Sequence, residues 1–135
     1  MYLLDTNVIS ETMRAKPNPI VLDWLSSIDI RKFYLSVLSL GEIRKGVEKL
    51  EDIKRKQKII QWLEIDLKKI FADRIITVDS IVADKWGYIC AQANVPAVDS
   101  LLGASALVHN LKLVTRNVKD FKAISGLEIV NPWDM

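Results

Sequence analysis

The chain has 135 residues, half of them hydrophobic and 27% charged, which is the length of one domain and the balance of a folded globular protein, and it excludes a disordered or low-complexity chain. A formal charge of +2 is too small to decide on a nucleic-acid partner, and the lone cysteine, Cys90, excludes an internal disulfide and suits a reducing compartment. No apolar run approaches bilayer-spanning length and no basic segment with a long apolar stretch opens the chain, so a cytoplasmic protein without membrane contact is expected.

Met1-Tyr2-Leu3-Leu4 is an apolar run halted by Asp5, and it reads as a buried strand of a parallel sheet. Such a strand delivers Asp5, with Thr6 and Asn7, to the edge where open α/β sheets bind ligands. The same three residues also suit the N-cap of the next helix, Val8 to Met13. Lys16-Pro17-Asn18-Pro19 breaks that helix, and Asn18 caps another that carries Val21, Leu22, Trp24 and Leu25. Phe33 to Ser36 reads as a second strand, followed by a helix with Leu40, Ile43, Val47 and Leu50 on one stripe. Glu42 falls in the first turn of that helix by this reading, where the helix dipole alone explains an acid.

The longest helix is expected from Asp52 to Phe71, with Ile53, Ile60, Leu63, Leu67 and Ile70 facing inward. Lys54, Arg55, Lys56 and Lys58 cluster near its start, as a solvated face or one that attracts phosphates. Ile75 to Val78 reads as a third strand ending at Asp79, and Val82, Trp86, Ile89 and Ala93 mark a further helix with Cys90 as a small core residue. The nearly unbroken apolar and small residues from Leu101 to Val108 form a buried helix. Asp99 at its start is either a cap or a ligand turned toward a cation, and His109 closes it in a dipole role. Lys112 to Thr115 and Leu127 to Val130 complete the strands, and Trp133 in the tail is expected to fold back onto the body.

Strands alternate with helices from end to end, which predicts an α/β fold with a mainly parallel sheet of four to five strands flanked by helices, in a single domain spanning residues 1–135. Asp5, Asp79 and the Arg116-Asn117 corner then reach one sheet edge, while Glu42 and Asp99 open helices on that side. Acids gathered there repel one another unless a cation joins them. Mg2+ or Mn2+, which favour carboxylate oxygens in octahedral geometry, are the natural candidates.

Four stretches together resemble the PIN domains, and within them the VapC-type toxins of bacterial toxin–antitoxin pairs. They are Leu4-Asp5-Thr6-Asn7, Leu40-Gly41-Glu42-Ile43-Arg44-Lys45-Gly46, Val98-Asp99-Ser100-Leu101-Leu102-Gly103-Ala104-Ser105-Ala106, and Leu113-Val114-Thr115-Arg116-Asn117 with Asp120-Phe121. The resemblance implies a PIN-like three-layer fold and an Mg2+- or Mn2+-dependent endoribonuclease. It also implies an RNA substrate, a cognate antitoxin that holds the toxin inactive, a homodimer of the toxin, and a hetero-oligomer with the antitoxin. Asp5, Glu42 and Asp99 match the family's catalytic acids, with Asp5 and Asp99 on the metal and Thr6, Asn7, Thr115, Arg116, Asn117 and Asp120 in support. Asn117 stands where many relatives carry a fourth aspartate, which puts a second metal ion in doubt.

One histidine, His109, leaves no pair of imidazoles for metal-free RNA cleavage, and no nucleophile elbow supports a Ser-His-Asp arrangement. Metal-assisted hydrolysis is the economical mechanism, with Arg116 placed to hold a backbone phosphate. If a short helix starts after Asn117, Asn117 is its N-cap and Asp120 its N3 residue, in capping-box spacing, which gives Asp120 a structural task and turns Asn117 toward the metal. Two other classes stay open: a phosphoacceptor domain using Asp79, and a relative that binds RNA without cutting it.

Overall fold

The computed structural model describes all residues, Met1–Met135, and its centre is a fully parallel sheet. The strands are β1 (Tyr2–Leu4), β2 (Phe33–Ser36), β3 (Ile75–Ile76), β4 (Lys112–Val114) and β5 (Ile129–Val130), in the spatial order β3-β2-β1-β4-β5. The first strand of the chain is thus the middle of the sheet, with Leu4 level with Leu35 on one side and Val114 on the other.

Helices cover both faces, in three layers, and the pleat of each strand decides which face receives which side chain. Leu3 and Leu113 join Val82, Ile89, Leu102, Phe121 and Ile124 on one face. Leu4, Leu35 and Val114 join Val8, Ile43, Leu63, Leu67 and Phe71 on the other. Helices α6 (Ser80–Gln92), α7 (Ala97–Val108) and α8 (Val118–Phe121) build the first layer. The second is built by α1 (Thr6–Glu11), α3 (Val37–Glu48), α4 (Ile53–Gln61) and α5 (Leu67–Phe71), and α2 (Pro19–Ser26) adds Trp24 at its border. Gly103 lets α7 lie close to the segment after α8, because a methyl group there would meet Ile124 Cδ1 at 2.5 Å.

Several caps follow the sequence. Asn18 accepts the Ile20 N–H at the start of α2, Ser36 accepts the Leu38 N–H at the start of α3, and Trp133 returns to pack beside Trp24 and Phe33. Other expectations require correction. The first helix starts at Thr6 and ends at Glu11, because Asp5 itself is the cap. The long helix is interrupted by a π-helical turn at Trp62–Asp66, whose extra residue rotates the stripe, leaving Ile53 69% and Ile70 44% exposed. Strand β3 has only two residues at the sheet border, so Val78 is exposed and Asp79 stands in the following loop. Cys90 is exposed, since Val82 and Ile89 set the buried stripe of α6. No helix is long and apolar enough to cross a membrane.

Candidate active site

Asp5 leaves β1 in an extended conformation and is 7% exposed. Its two oxygens have separate work. Oδ1 accepts the Thr6 N–H at 2.7 Å as the cap of α1, and Oδ2 accepts the Thr115 hydroxyl at 2.8 Å and the Asn7 amide at 3.3 Å. The cap and the site are therefore one carboxylate. Thr115, fully buried just beyond β4, also accepts the Asn117 N–H at 3.0 Å and the Asn7 amide at 3.4 Å through its lone pairs. Asn7 Oδ1 in turn accepts the Arg116 N–H at 3.4 Å, so the ends of β1 and β4 are fastened side by side.

Glu42 comes from α3, and its position departs from the sequence reading. The helix begins at Val37, directly after the Ser36 cap, which puts Glu42 in the second turn, where the dipole no longer explains an acid. Thr6 Oγ1 lies 2.7 Å from Glu42 Oε1 and 3.0 Å from Ser39 Oγ. A hydroxyl carries one proton, so Thr6 donates to the carboxylate and accepts from Ser39. Ser39 is fully buried and was not foreseen, although its place one turn before Glu42 on the same helix face was the available signal.

Asp99 is in the first turn of α7, whose cap is Pro96 with no side-chain hydrogen bond. Of the two readings for Asp99, cap and ligand, the cap is not used. Burial raises its pKa above the ordinary carboxylate value, and the charges of Asp120 and then Glu42 add to the rise. Burial likewise pushes Asp5 up to about 6, against the Thr115 hydroxyl and Thr6 N–H that favour its charged form, while Glu42 and Asp99 push the same way as burial. The charges of Glu42 and Asp99 thus act on Asp5, and those of Asp120 and Glu42 on Asp99, and none of the four takes part in an ion pair with Lys or Arg.

The Asn117 corner differs from the expected capping box. Asn117 precedes α8 with φ −91° and ψ 57°, outside the extended range a cap prefers, and its side chain makes no cap bond. The helix is a single turn held by the Asp120 N–H on the Asn117 carbonyl at 3.1 Å. Asp120 is exposed and charged beside Asp99, with no capping bond to occupy it. Asp79 does not join the group: its carboxylate accepts the Val82 N–H at 2.9 Å as the cap of α6, and it is absent from the charges acting on Asp5 and Asp99. That leaves the phosphoacceptor reading without a residue.

Two further residues shape the border. Arg116 is exposed with its guanidinium 5.4 Å from the Trp133 ring centre, a cation–π contact that limits where the side chain can swing. Buried Glu11 accepts the Asn18 N–H at 2.9 Å and pairs with Arg14 at 3.3 Å, tying the loop after α1 to the start of α2.

The donor set suits a hard divalent cation: carboxylate oxygens, mutually repelling, with no protein cation among them. No three of the chain's His, Cys, Asp and Glu stand together closely enough to hold a metal ion by themselves. Magnesium is commonly held in this way, by one or two carboxylates together with waters and substrate phosphate.

The PIN domain family model matches residues 2–127. The chain is 37% identical over 138 residues to toxin FitB of Neisseria gonorrhoeae, covering 98% of this chain and 99% of that protein. It is 32% identical over 139 residues to VapC ribonuclease Y4jK of Sinorhizobium fredii, covering 99% of each. Among solved structures, FitAcB from Neisseria gonorrhoeae superposes with a TM-score of 0.94 at 36% identity over 100% of both chains.

Proposed function

This chain belongs to the PIN domain family, and from that premise we propose that it is the toxin of a toxin–antitoxin pair, an endoribonuclease that hydrolyses RNA phosphodiester bonds until a cognate antitoxin binds it. The observation that carries the reading is that Thr6 ties Asp5 to Glu42, through its N–H and its hydroxyl, while the charge of Asp99 acts on Asp5, and no protein cation neutralises these acids. Residues 1–135 act as one catalytic unit in the cytoplasm, as a homodimer when free and a hetero-oligomer with the antitoxin.

In this reading Asp5 and Asp99 hold the ion, Mg2+ or Mn2+. When bound, such an ion lowers the pKa of a water and offsets charge growing on the phosphate oxygens. Asp5 remains mostly ionised near pH 7 despite burial, and the Thr115 and Thr6 donors fix the direction of its oxygens. Glu42, oriented by Thr6 and Ser39, is the group to accept a proton from the attacking water. Arg116, steadied on Trp133, is the group to hold a neighbouring backbone phosphate. An apolar groove of about 220 Å³ lined by Met13, Ile43, Val47 and Trp62 adjoins Glu42 and offers the antitoxin a seat. A basic antitoxin side chain reaching from there to the acids would block the phosphate position.

The test is cleavage of a defined single-stranded RNA by the purified toxin, free of antitoxin. Cleavage that is lost in EDTA and restored by Mg2+ or Mn2+ is expected. RNA that stays intact with either ion overturns the enzymatic reading in favour of RNA binding without cleavage.

A further inference from the structure

Most basic side chains around α3 are already engaged. Arg44 pairs with Glu48 and Glu64, Lys56 pairs with Glu48, and the Arg55 guanidinium donates to the Met13 carbonyl. Lys45 and Lys49 differ. Both are exposed, neither forms an ion pair, and they stand one turn apart, Lys45 in the last turn of α3 and Lys49 at its C-cap. With Glu42 they make a stripe at steps of three and four residues, so one helix face carries an acid of the candidate site and then two free cations.

The same three side chains line one open cleft of about 490 Å³, whose other walls are Val37, Leu38, Gly41, Gly46 and Val98. Val98 is the neighbour of Asp99, so the cleft runs from α3 to the start of the helix that carries the third acid. The cleft is open at Gly41, where a methyl group would touch nothing within 4 Å. The walls are apolar enough for a base to rest against, and the cations stand further from the acids along the groove.

We propose that this cleft is the RNA-binding subsite of the enzyme, in which Lys45 and Lys49 each hold one phosphate of the single strand on the side of the cut that lies along α3. The inference rests on the nuclease reading above and adds the path of the substrate. Four residues of helix set the backbones of Lys45 and Lys49 about 6 Å apart along the axis, comparable with the step between successive phosphates of an extended strand. Free lysines act here as point charges that bind backbone without reading sequence. They strengthen ground state and transition state alike, so their loss shows in KM and not in kcat.

The test is steady-state cleavage of one single-stranded RNA by wild type, the double variant Lys45→Ala/Lys49→Ala and the double variant Lys45→Arg/Lys49→Arg, across a salt series. The alanine pair is expected to raise KM about tenfold near physiological salt and to flatten the slope of log KM against log salt by about 1.4, the equivalent of two phosphate contacts to a single strand. Its kcat and melting temperature stay as in wild type, and the arginine pair restores both KM and slope. Wild-type KM and slope in the alanine pair overturn the proposal. So does a KM effect that follows a changed oligomeric state or weaker antitoxin binding, since the lysines then serve a protein interface. If wild type cuts no RNA at all, the nuclease reading fails, and binding of the uncut RNA over the same salt series still decides whether the lysines hold phosphate.

Discussion

The Thr115 hydroxyl donates to Asp5 Oδ2 at 2.8 Å across 110 residues of sequence, with both groups shielded from water. It is one of the donors that keep a carboxylate charged where burial favours the neutral acid. Thr115→Val removes the donor at nearly constant volume. The expected loss is about 1.5 to 3 kcal/mol of stability, as for hydrogen bonds to charged groups, with a fall in RNA cleavage that is steepest at the acid end of the pH range. Thr115→Ser restores both. Chemical denaturation and a pH–rate profile on the two variants check it.

Asp5→Asn abolishes cleavage, by at least about a hundredfold, and leaves the fold intact. The sign of its effect on stability depends on pH. The folded pKa of Asp5 is raised from 3.8 to about 6, so the folded state binds this proton more tightly than the unfolded chain does. Wild type therefore loses stability from this group as pH rises from 3.8 to about 6, by about 3 kcal/mol at the upper end. In EDTA, the melting temperature of Asp5→Asn relative to wild type should climb across that window and level off above it. A difference that is flat with pH would mean the carboxylate is not held as described.

Asp120→Asn leaves the melting curve unchanged, because no cap bond depends on the carboxylate. It lowers the pKa of Asp99 by removing the charge that, after burial, raises it most. Weaker Mn2+ binding and slower cleavage with unchanged stability are expected, read by metal titration and kinetics. Asn117→Asp adds a charge at the same corner and should tighten metal binding. A loss of stability in Asp120→Asn, without an effect on the metal, would return Asp120 to a purely structural task.

Trp133→Ala removes a partly buried ring that packs against the second core layer and carries the Arg116 guanidinium on its face. A cost of about 2 kcal/mol is expected from lost apolar burial, together with a rise in KM for RNA as Arg116 is released. Trp133→Phe should recover most of the stability and part of the KM. An effect on stability alone would separate the tail from substrate binding.

The strands were legible because β1, β2 and β4 are short apolar runs that end at polar residues, and Asn18 announced its helix by type and place. Asp5 was legible as the end of the first strand for the same reason. The sequence also held it as a cap, and one oxygen makes the cap bond while the other accepts from Thr115. Glu42 was placed in the wrong turn because the start of α3 had been read from its apolar stripe, whereas Ser36 caps it earlier. The π-helical turn at Trp62–Asp66 was hidden because an apolar run with residues at several phases fits a regular helix equally well. The role of Asp120 depends on the ψ of Asn117, a backbone angle that residue type does not dictate.

The position of β1 has a consequence for biosynthesis. This strand leaves the ribosome well before β4, with which it pairs, and Thr115 follows Asp5 by 110 residues. At about 5 to 20 residues per second, that is a delay of roughly 5 to 20 s during which Asp5 has no Thr115 to bind it and the sheet lacks one side. A nascent chain cannot fix the Asp5 carboxylate before β4 and Thr115 have emerged. Synthesis itself thus withholds the activity over that interval, which gives a co-expressed inhibitor time to be present when the nuclease first matures.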